Sequence, residues 1–263
     1  MSNENYQKKK ARFERMLTVY GRNAVRETLN DLSLTCHALH LADSNRESKA
    51  ITELLALATN RGIEIQRHNR DALARISKNG KQDQGVALDV VCPAFGTVDG
   101  FLADGLRSKQ RMRLLALDGI SNPQNLGMII RSAAAGAIDG IVLARKGNAA
   151  LGPLVIKASA GTVYRAPLLL CDTLPEALSK LQAKGANVYC LAADGAASVF
   201  EKSADSNFEE ITVYVLGNET EGVSSAVRGL ADAALHIPMG NGVESLNVAV
   251  SASLIAYAGY LER

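Results

Sequence analysis

Three loops in the second half of this 263-residue chain carry more Gly, Asn, Glu and Ser than packing requires. The first, NPQNLGMIIRSA (Asn122–Ala133), follows an apolar run and opens a helix, with Asn122 suited to cap it and Pro123 to its first turn. Inside that helix Gly127 costs roughly 1 kcal/mol relative to Ala, which points to close approach of another backbone or of a ligand. Arg131, four residues on, shares its face. The second loop, YVLGNETEGVS (Tyr214–Ser224), runs from a strand into Gly217, where a ligand could lie against backbone, and then to the carboxylate of Glu219. The third, IPMGNGVESLNVAV (Ile237–Val250), passes through Gly240-Asn241-Gly242 to Ser245 and Asn247 at the start of the last helix. Ser245 suits an N-cap; Asn247, one step inside, is a poor helix former and has less structural reason to be there. The chemistry suggested is ligand binding at the carboxyl ends of strands. Taken singly, a capped helix with a surface Arg or a plain strand-to-helix turn would read the same way.

Other chemistries find less support. Gly240-Asn241-Gly242 with Ser245 resembles a dinucleotide fingerprint, but that motif needs a further strand with an acidic residue about 20 positions on, and the chain ends at Arg263. No P-loop lysine motif occurs, and KASAG (Lys157–Gly161) lacks the leading Gly of a nucleophile elbow. Cys36, Cys92, Cys171 and Cys190 form no C-x-x-C pair, so they read as reduced, buried thiols of a cytoplasmic protein. The four His residues are dispersed, and no metal is expected.

The elements that must position these loops alternate in type. Hydrophobic spacing predicts helices over Arg22–Asn30, Glu47–Thr59 and Asp71–Ile76, with strands over Ala38–Leu41, Ile63–Gln66 and Val86–Val91. A Gly-rich, charged stretch, Pro93–Gln110, reads as a linker with a short helix near Phe101–Leu106. Beyond it come strands Arg113–Asp118, Gly140–Leu143, Leu168–Cys171, Asn187–Leu191, Ile211–Leu216 and Ala234–Ile237. Helices are expected over Pro175–Ala183, Ser224–Leu230 and Leu246–Leu261. The fold class is therefore α/β: a parallel sheet with helices on both faces, preceded by a smaller α/β domain. The expected division is a basic arm over 1–17, a first domain over 18–92, the linker over 93–110 and a second domain over 111–263.

Charge is uneven. Residues 1–113 hold 19 Lys and Arg against 13 Asp and Glu, whereas residues 114–263 hold 10 against 14. A basic first half suits a polyanion such as RNA, with Lys8, Lys9, Lys10, Arg12 and Arg22 as candidate phosphate contacts. Solvated surface charge is equally compatible. No apolar run approaches the ~20 residues of a membrane span, so no membrane partner is expected.

In order and spacing, the three loops resemble the three motifs of the SpoU–TrmH branch of the SPOUT methyltransferases. KASAGTVYRAP (Lys157–Pro167) is similar to the family's segment between its first two motifs. VYGRNAVRETL (Val19–Leu29) looks like the opening of the family's substrate-binding domain, which itself resembles kink-turn-binding ribosomal proteins. Departures are small: Asn122 stands where Asp is commoner, and Thr220 where Gly is frequent.

The resemblance implies a deep trefoil knot near the C-terminus, a rare exception to the usual absence of knots. It also implies S-adenosyl-L-methionine as cofactor, a homodimer with shared active sites, and methylation of an RNA ribose 2'-hydroxyl. Gly217, Ile237, Met239 and Leu246 would then hold the cofactor. Arg131 would be catalytic, by orientation and charge or as a base, with Asn125 in support. Glu219 would fix Arg131 or a ribose hydroxyl, and Ser245 and Asn247 would bond cofactor or ribose. Ribosomal RNA, at a guanosine, is the favoured substrate. A transfer RNA methyltransferase and a non-catalytic RNA-binding or ribosome-assembly factor are the alternatives.

Overall fold

A computed structural model describes residues 14–104, 111–203 and 211–260. Lys8, Lys9, Lys10 and Arg12 lie outside them. The chain forms two compact units: residues up to Pro93 together with Leu151–Pro153, and Ala94–Ala150 together with Leu154 onwards.

The first unit contains β1 (Met16–Tyr20), α1 (Arg22–Asn30), β2 (Thr35–Ala42), α2 (Lys49–Asn60), β3 (Glu64–His68), α3 (Arg70–Ser77) and β4 (Val86–Val91). The strands order as β1-β4-β2-β3, with the β2–β3 pair parallel and the others antiparallel. Spacing explains the helices: α1 buries Val25, Thr28 and Leu29, and α2 buries Ile51, Leu54 and Ala58. Ser48 caps α2, its Oγ accepting from Ile51 N at 3.4 Å. Arg61 is a structural cation: its guanidinium donates to the carbonyls of Leu29 at 2.7 Å and Asp31 at 3.2 Å, satisfying the open end of α1. Arg22 is half-buried and tied to its surroundings, its amide bonded to Gln84 Oε1 at 2.9 Å and its Nη2 reaching Asn45 Oδ1 at 3.5 Å.

The second unit adds, in chain order, β5 (Gly96–Thr97), α4 (Val98–Asp104), β6 (Met112–Leu117), α5 (Pro123–Ala135), β7 (Gly140–Ala144), α6 (Pro153–Ala158), β8 (Leu168–Cys171) and α7 (Leu174–Gln182). There follow β9 (Ala186–Leu191), β10 (Ala197–Ser198), α8 (Val199–Ser203), β11 (Ile211–Leu216), α9 (Ser225–Arg228), β12 (Ala233–His236) and α10 (Val248–Ala258). Its sheet has eight strands in the order β10-β12-β9-β11-β6-β7-β8-β5, and every pairing among them is parallel. The central strands β6 and β11 are buried at all six positions, as a parallel sheet covered on both faces demands. β5 and α4 occupy part of the stretch expected to be a linker; Gly96 and Thr97 pair with Leu169 and Leu170.

α5 begins where expected. Asn122 Oδ1 accepts from Gln124 N at 2.8 Å, and Pro123 occupies the first turn. A Cβ on Gly127 would lie 2.7 Å from the Val155 carbonyl oxygen and 2.5 Å from Ala158 Cβ, so the glycine admits α6 against α5 rather than a ligand. α10 packs along α5, and Ser253 Oγ donates to Ser132 Oγ at 2.8 Å between them. Arg113, buried at the start of β6, donates to the Ile255 carbonyl at 2.9 Å and stacks over Tyr214 with 4.9 Å to the ring centroid.

Candidate active site

The carboxyl ends of β9, β11 and β12 open into a cavity of about 440 Å³, closed on its other side by the loop leading to α10. In an open parallel sheet this is where ligands collect, because loops there diverge and leave backbone groups facing the crevice. Gly217, Ile237, Met239 and Leu246 all line it, as do Glu219 and Ser245. Residues 237–247 are half-buried or exposed throughout, so a ligand could reach their backbone groups.

Gly217 is needed for a reason other than ligand access. A Cβ there would lie 2.1 Å from Gly222 C and 2.2 Å from Val223 N, because the loop folds back on itself. Asn218 and Gly222 exchange backbone hydrogen bonds at 3.0 and 2.9 Å, closing that turn. Asn218 also ties it to the neighbouring strand end, donating through Nδ2 to the Gly119 carbonyl at 2.9 Å while Oδ1 accepts from Thr220 N at 2.9 Å. Asp118 Oδ2 accepts from Ser224 N at 2.7 Å. Asn218 and Asp118 went unremarked in the sequence, although both sit where a strand ends in a turn.

The carboxylate at the cavity mouth is positioned by a chain of two asparagines. Asn125, buried in the first turns of α5, donates through Nδ2 to Glu219 Oε1. Its Oδ1 accepts from Asn247 Nδ2 at 3.2 Å. Asn247 Oδ1 in turn accepts from Ala249 N at 2.9 Å, making Asn247 itself the N-cap of α10. Two expectations change here. α10 starts at Val248 rather than Leu246, and the cap is Asn247 rather than Ser245. The side-chain amide of Asn247 therefore does two jobs, its oxygen ending the helix and its nitrogen reaching the site. Among the described residues Glu219 Oε2 has no partner.

Arg131 stands apart from this group. It is exposed on α5, does not line the cavity, and among the described residues makes no hydrogen bond or ion pair. Glu219, expected to hold it, is held by Asn125. Arg131 shares its exposed helix face with Gln124 and Met128, not with buried Gly127. On α10, the helix that packs along α5, Val250 and Tyr257 are also exposed, at 47% and 50%.

The cavity's charge is one-sided. Among the described residues Glu219 and Glu244 line it, and no Lys or Arg does. His236, another lining residue, has its Nδ1 3.0 Å from the Gly195 carbonyl oxygen. Among the described residues no three His, Cys, Asp or Glu side chains are grouped to hold a metal ion, and no helix is long and apolar enough to cross a membrane.

Comparison with known proteins agrees with this geometry. A tRNA/rRNA methyltransferase of Mycolicibacterium smegmatis, itself uncharacterized, is 35% identical over 237 residues, which cover 90% of this chain and 74% of that protein. The SpoU methyltransferase AviRb of Streptomyces viridochromogenes, solved with AdoMet bound, superposes with a TM-score of 0.60 at 24% identity, covering 100% of this chain and 94% of its own. A structure solved to explain 2-OH methylation of C/U34 on tRNA gives a TM-score of 0.51 at 30% identity, covering 61% of this chain and 96% of that one. Residues 18–93 match the family described as RNA 2'-O ribose methyltransferase substrate binding. With residues 112–257 matching its family model across β6 to α10, the chain belongs to the SpoU rRNA methylase family, whose members are RNA methyltransferases.

Proposed function

We propose that this protein uses S-adenosyl-L-methionine to methylate a ribose 2'-hydroxyl in structured RNA, and that it does so as a homodimer. The observation that carries the reading is the junction of the cavity with the Asn247–Asn125–Glu219 chain: a ligand pocket and an oriented carboxylate share one edge. The residues present fit the cofactor. The walls are largely apolar with backbone groups at Gly217, Ile237 and Leu246, and the lining carboxylates suit a ligand bearing positive charge. When bound, that cofactor supplies an electrophilic methyl group, so the protein's task is alignment of the hydroxyl. In this reading Gly217, Ile237, Met239 and Leu246 hold the cofactor. Glu219 Oε2 accepts from a ribose hydroxyl, while Asn125 and Asn247 keep the carboxylate facing it.

Arg131 acts on the target nucleotide by orienting it and balancing its charge, since a guanidinium with a pKa above about 12 is a poor base. Its absence from the cavity lining within one chain supports a site completed across a dimer. The exposed Met128 of α5 and Val250 and Tyr257 of α10 offer apolar surface suited to a second copy. The knot belongs to the same reading; β11 inserted between β9 and β6, with α10 returning to α5, is the kind of threading it requires. The first unit, with the basic arm, would supply affinity for RNA in the cytoplasm. Ribosomal RNA, at a guanosine, is the favoured substrate. The likeness to the structure concerned with tRNA keeps transfer RNA as the second.

The test is transfer of labelled methyl from S-adenosylmethionine into total RNA from cells lacking this protein, followed by size separation and nucleoside analysis. A 2'-O-methyl nucleoside in one RNA class supports the reading, and a base-methylated nucleoside refutes it. Arg131→Ala should abolish transfer while cofactor affinity stays within a few-fold. Full turnover in that variant would remove Arg131 from the mechanism.

A further inference from the structure

Two carboxylates line the cavity, and they are not equivalent. Glu219 has one oxygen committed to Asn125. Glu244 makes no hydrogen bond or ion pair among the described residues, yet it too lines the cavity. Its approach is set by a tight turn: Val243 N donates to the Gly240 carbonyl at 3.1 Å, and Asn241 and Gly242 both hold left-handed backbone, with φ of 55° and 73°. An asparagine tolerates that conformation better than most residues, and a glycine adopts it freely. The turn delivers Val243, Glu244, Ser245 and Leu246 together to the cavity wall. With no Lys or Arg in the lining among the described residues, a phosphate-bearing ligand would face negative charge there that those residues do not compensate.

We propose that Glu244 is a specificity-determining residue that reads the charge on the cofactor's sulfur. This rests on the cofactor reading above and goes a step further. Methyl transfer breaks the methyl–sulfur bond with both electrons returning to sulfur and forms the methyl–oxygen bond, while the hydroxyl proton leaves to solvent. The cofactor thus changes from a sulfonium cation to a neutral thioether, S-adenosylhomocysteine. A carboxylate in the lining attracts the first and has no charge to attract in the second. Glu244 therefore favours the loaded cofactor over the spent one and helps the product leave. Because it is exposed, the preference is that of a screened charge pair, about fivefold.

The experiment is isothermal titration calorimetry of the full chain with S-adenosylmethionine, S-adenosylhomocysteine and sinefungin, an analogue with an amine carried at the methyl position. Glu244→Gln should weaken the two cationic ligands about fivefold and leave the thioether nearly unchanged, while Glu244→Asp should retain most of the discrimination. In the wild type the preference should shrink as salt rises to about 0.5 M, and in Glu244→Gln that salt dependence should fall to the part left by Glu219. Equal weakening of charged and neutral ligands would mean that Glu244 only shapes the loop, and an unchanged ratio would mean that it does not sense charge. Either result overturns the proposal and leaves the cofactor reading standing. Failure of the wild type to bind any of the three ligands would overturn both.

Discussion

Asn125→Asp replaces the amide that donates to Glu219 with a second carboxylate and changes almost nothing in volume. The Asn247 amide still has an oxygen to donate to, but Glu219 Oε1 now faces a carboxylate oxygen. Two unit charges ~3 Å apart repel by roughly 1.4 kcal/mol in bulk water and roughly 5.5 kcal/mol at an effective dielectric of about 20. Asn125 is 7% exposed whereas Glu219 is exposed, so the value belongs to the lower half of that range, about 2 kcal/mol. The new pair then shares a proton that is lost at higher pH than from an isolated carboxylate, because two like charges cannot both ionise freely side by side.

The sign follows from linkage. A carboxyl whose folded pKa is raised keeps its stability below the unfolded value of about 4 and loses it as pH rises through the higher folded value. The deficit of Asn125→Asp relative to wild type should therefore be small below about pH 4 and grow to about 2 kcal/mol by pH 8. Asn125→Ala loses the hydrogen bond without adding charge, so its deficit should not vary with pH. The chain has no Trp, so urea unfolding is best followed by circular dichroism at matched pH values. A deficit for Asn125→Asp that is flat with pH, or a matching slope for Asn125→Ala, would show that Asn125 and Glu219 do not meet as described.

Gly217→Ala forces a methyl group to within 2.1 Å of the Gly222 backbone. It should cost about 3 kcal/mol or more, lowering the thermal midpoint by roughly 6–12 °C, and a midpoint within about 1 °C of wild type would contradict the close approach. Arg113→Met removes the donor to the Ile255 carbonyl and the stack on Tyr214, and an unfolding loss of about 2–3 kcal/mol is expected by the same dichroism assay. In the first unit, burial alone would raise the Asp89 carboxyl, but hydrogen bonds from His40 at 3.2 Å and Thr18 at 2.6 Å outweigh it and hold it below the ordinary range. Its stabilisation is therefore complete above the unfolded value of about 4 and is lost as pH falls through the lower folded value. Asp89→Asn should flatten the acid limb of the unfolding titration below about pH 4, and an unaltered limb would remove Asp89 as its source.

Periodicity and end signals located the longer elements because those elements obey local rules. α1 runs over Arg22–Asn30 as its spacing predicts, and Asn122 and Pro123 mark the start of α5. The short strands Gly96–Thr97 and Ala197–Ser198 were not visible, since two residues carry no alternation and exist only because a neighbouring strand offers an edge. Gly127 and Gly217 could be recognised as constrained, but not by what: the constraining atoms belong to α6 in one case and to the same loop in the other. The site was legible as a set of residue types and not as a set of bonds. Asn125 reaches Glu219 across 94 positions and Asn247 across 122, and no local pattern encodes which amide meets which carboxylate. For the same reason the sequence left Glu219 open to either Arg131 or a ribose hydroxyl; α5 turns Arg131 outward, and Glu219 meets Asn125.

The dual role of Asn247 has a consequence for how the protein is made. Its hydrogen bond to Asn125 can form only once α10 has docked on α5, and α10 follows α5 by more than a hundred positions in the chain. A nascent chain extended through α9 has Asn125 and Glu219 but lacks Asn247 and the wall from Ile237 to Leu246, so it has neither the finished cavity nor the oriented carboxylate. Loops closed over such separations also form late, because the entropy of bringing distant segments together is lost before their contacts compensate. Copies made only as far as α9 would therefore be inert towards RNA around them, and competence would arrive in a single step once α10 has been made and docked.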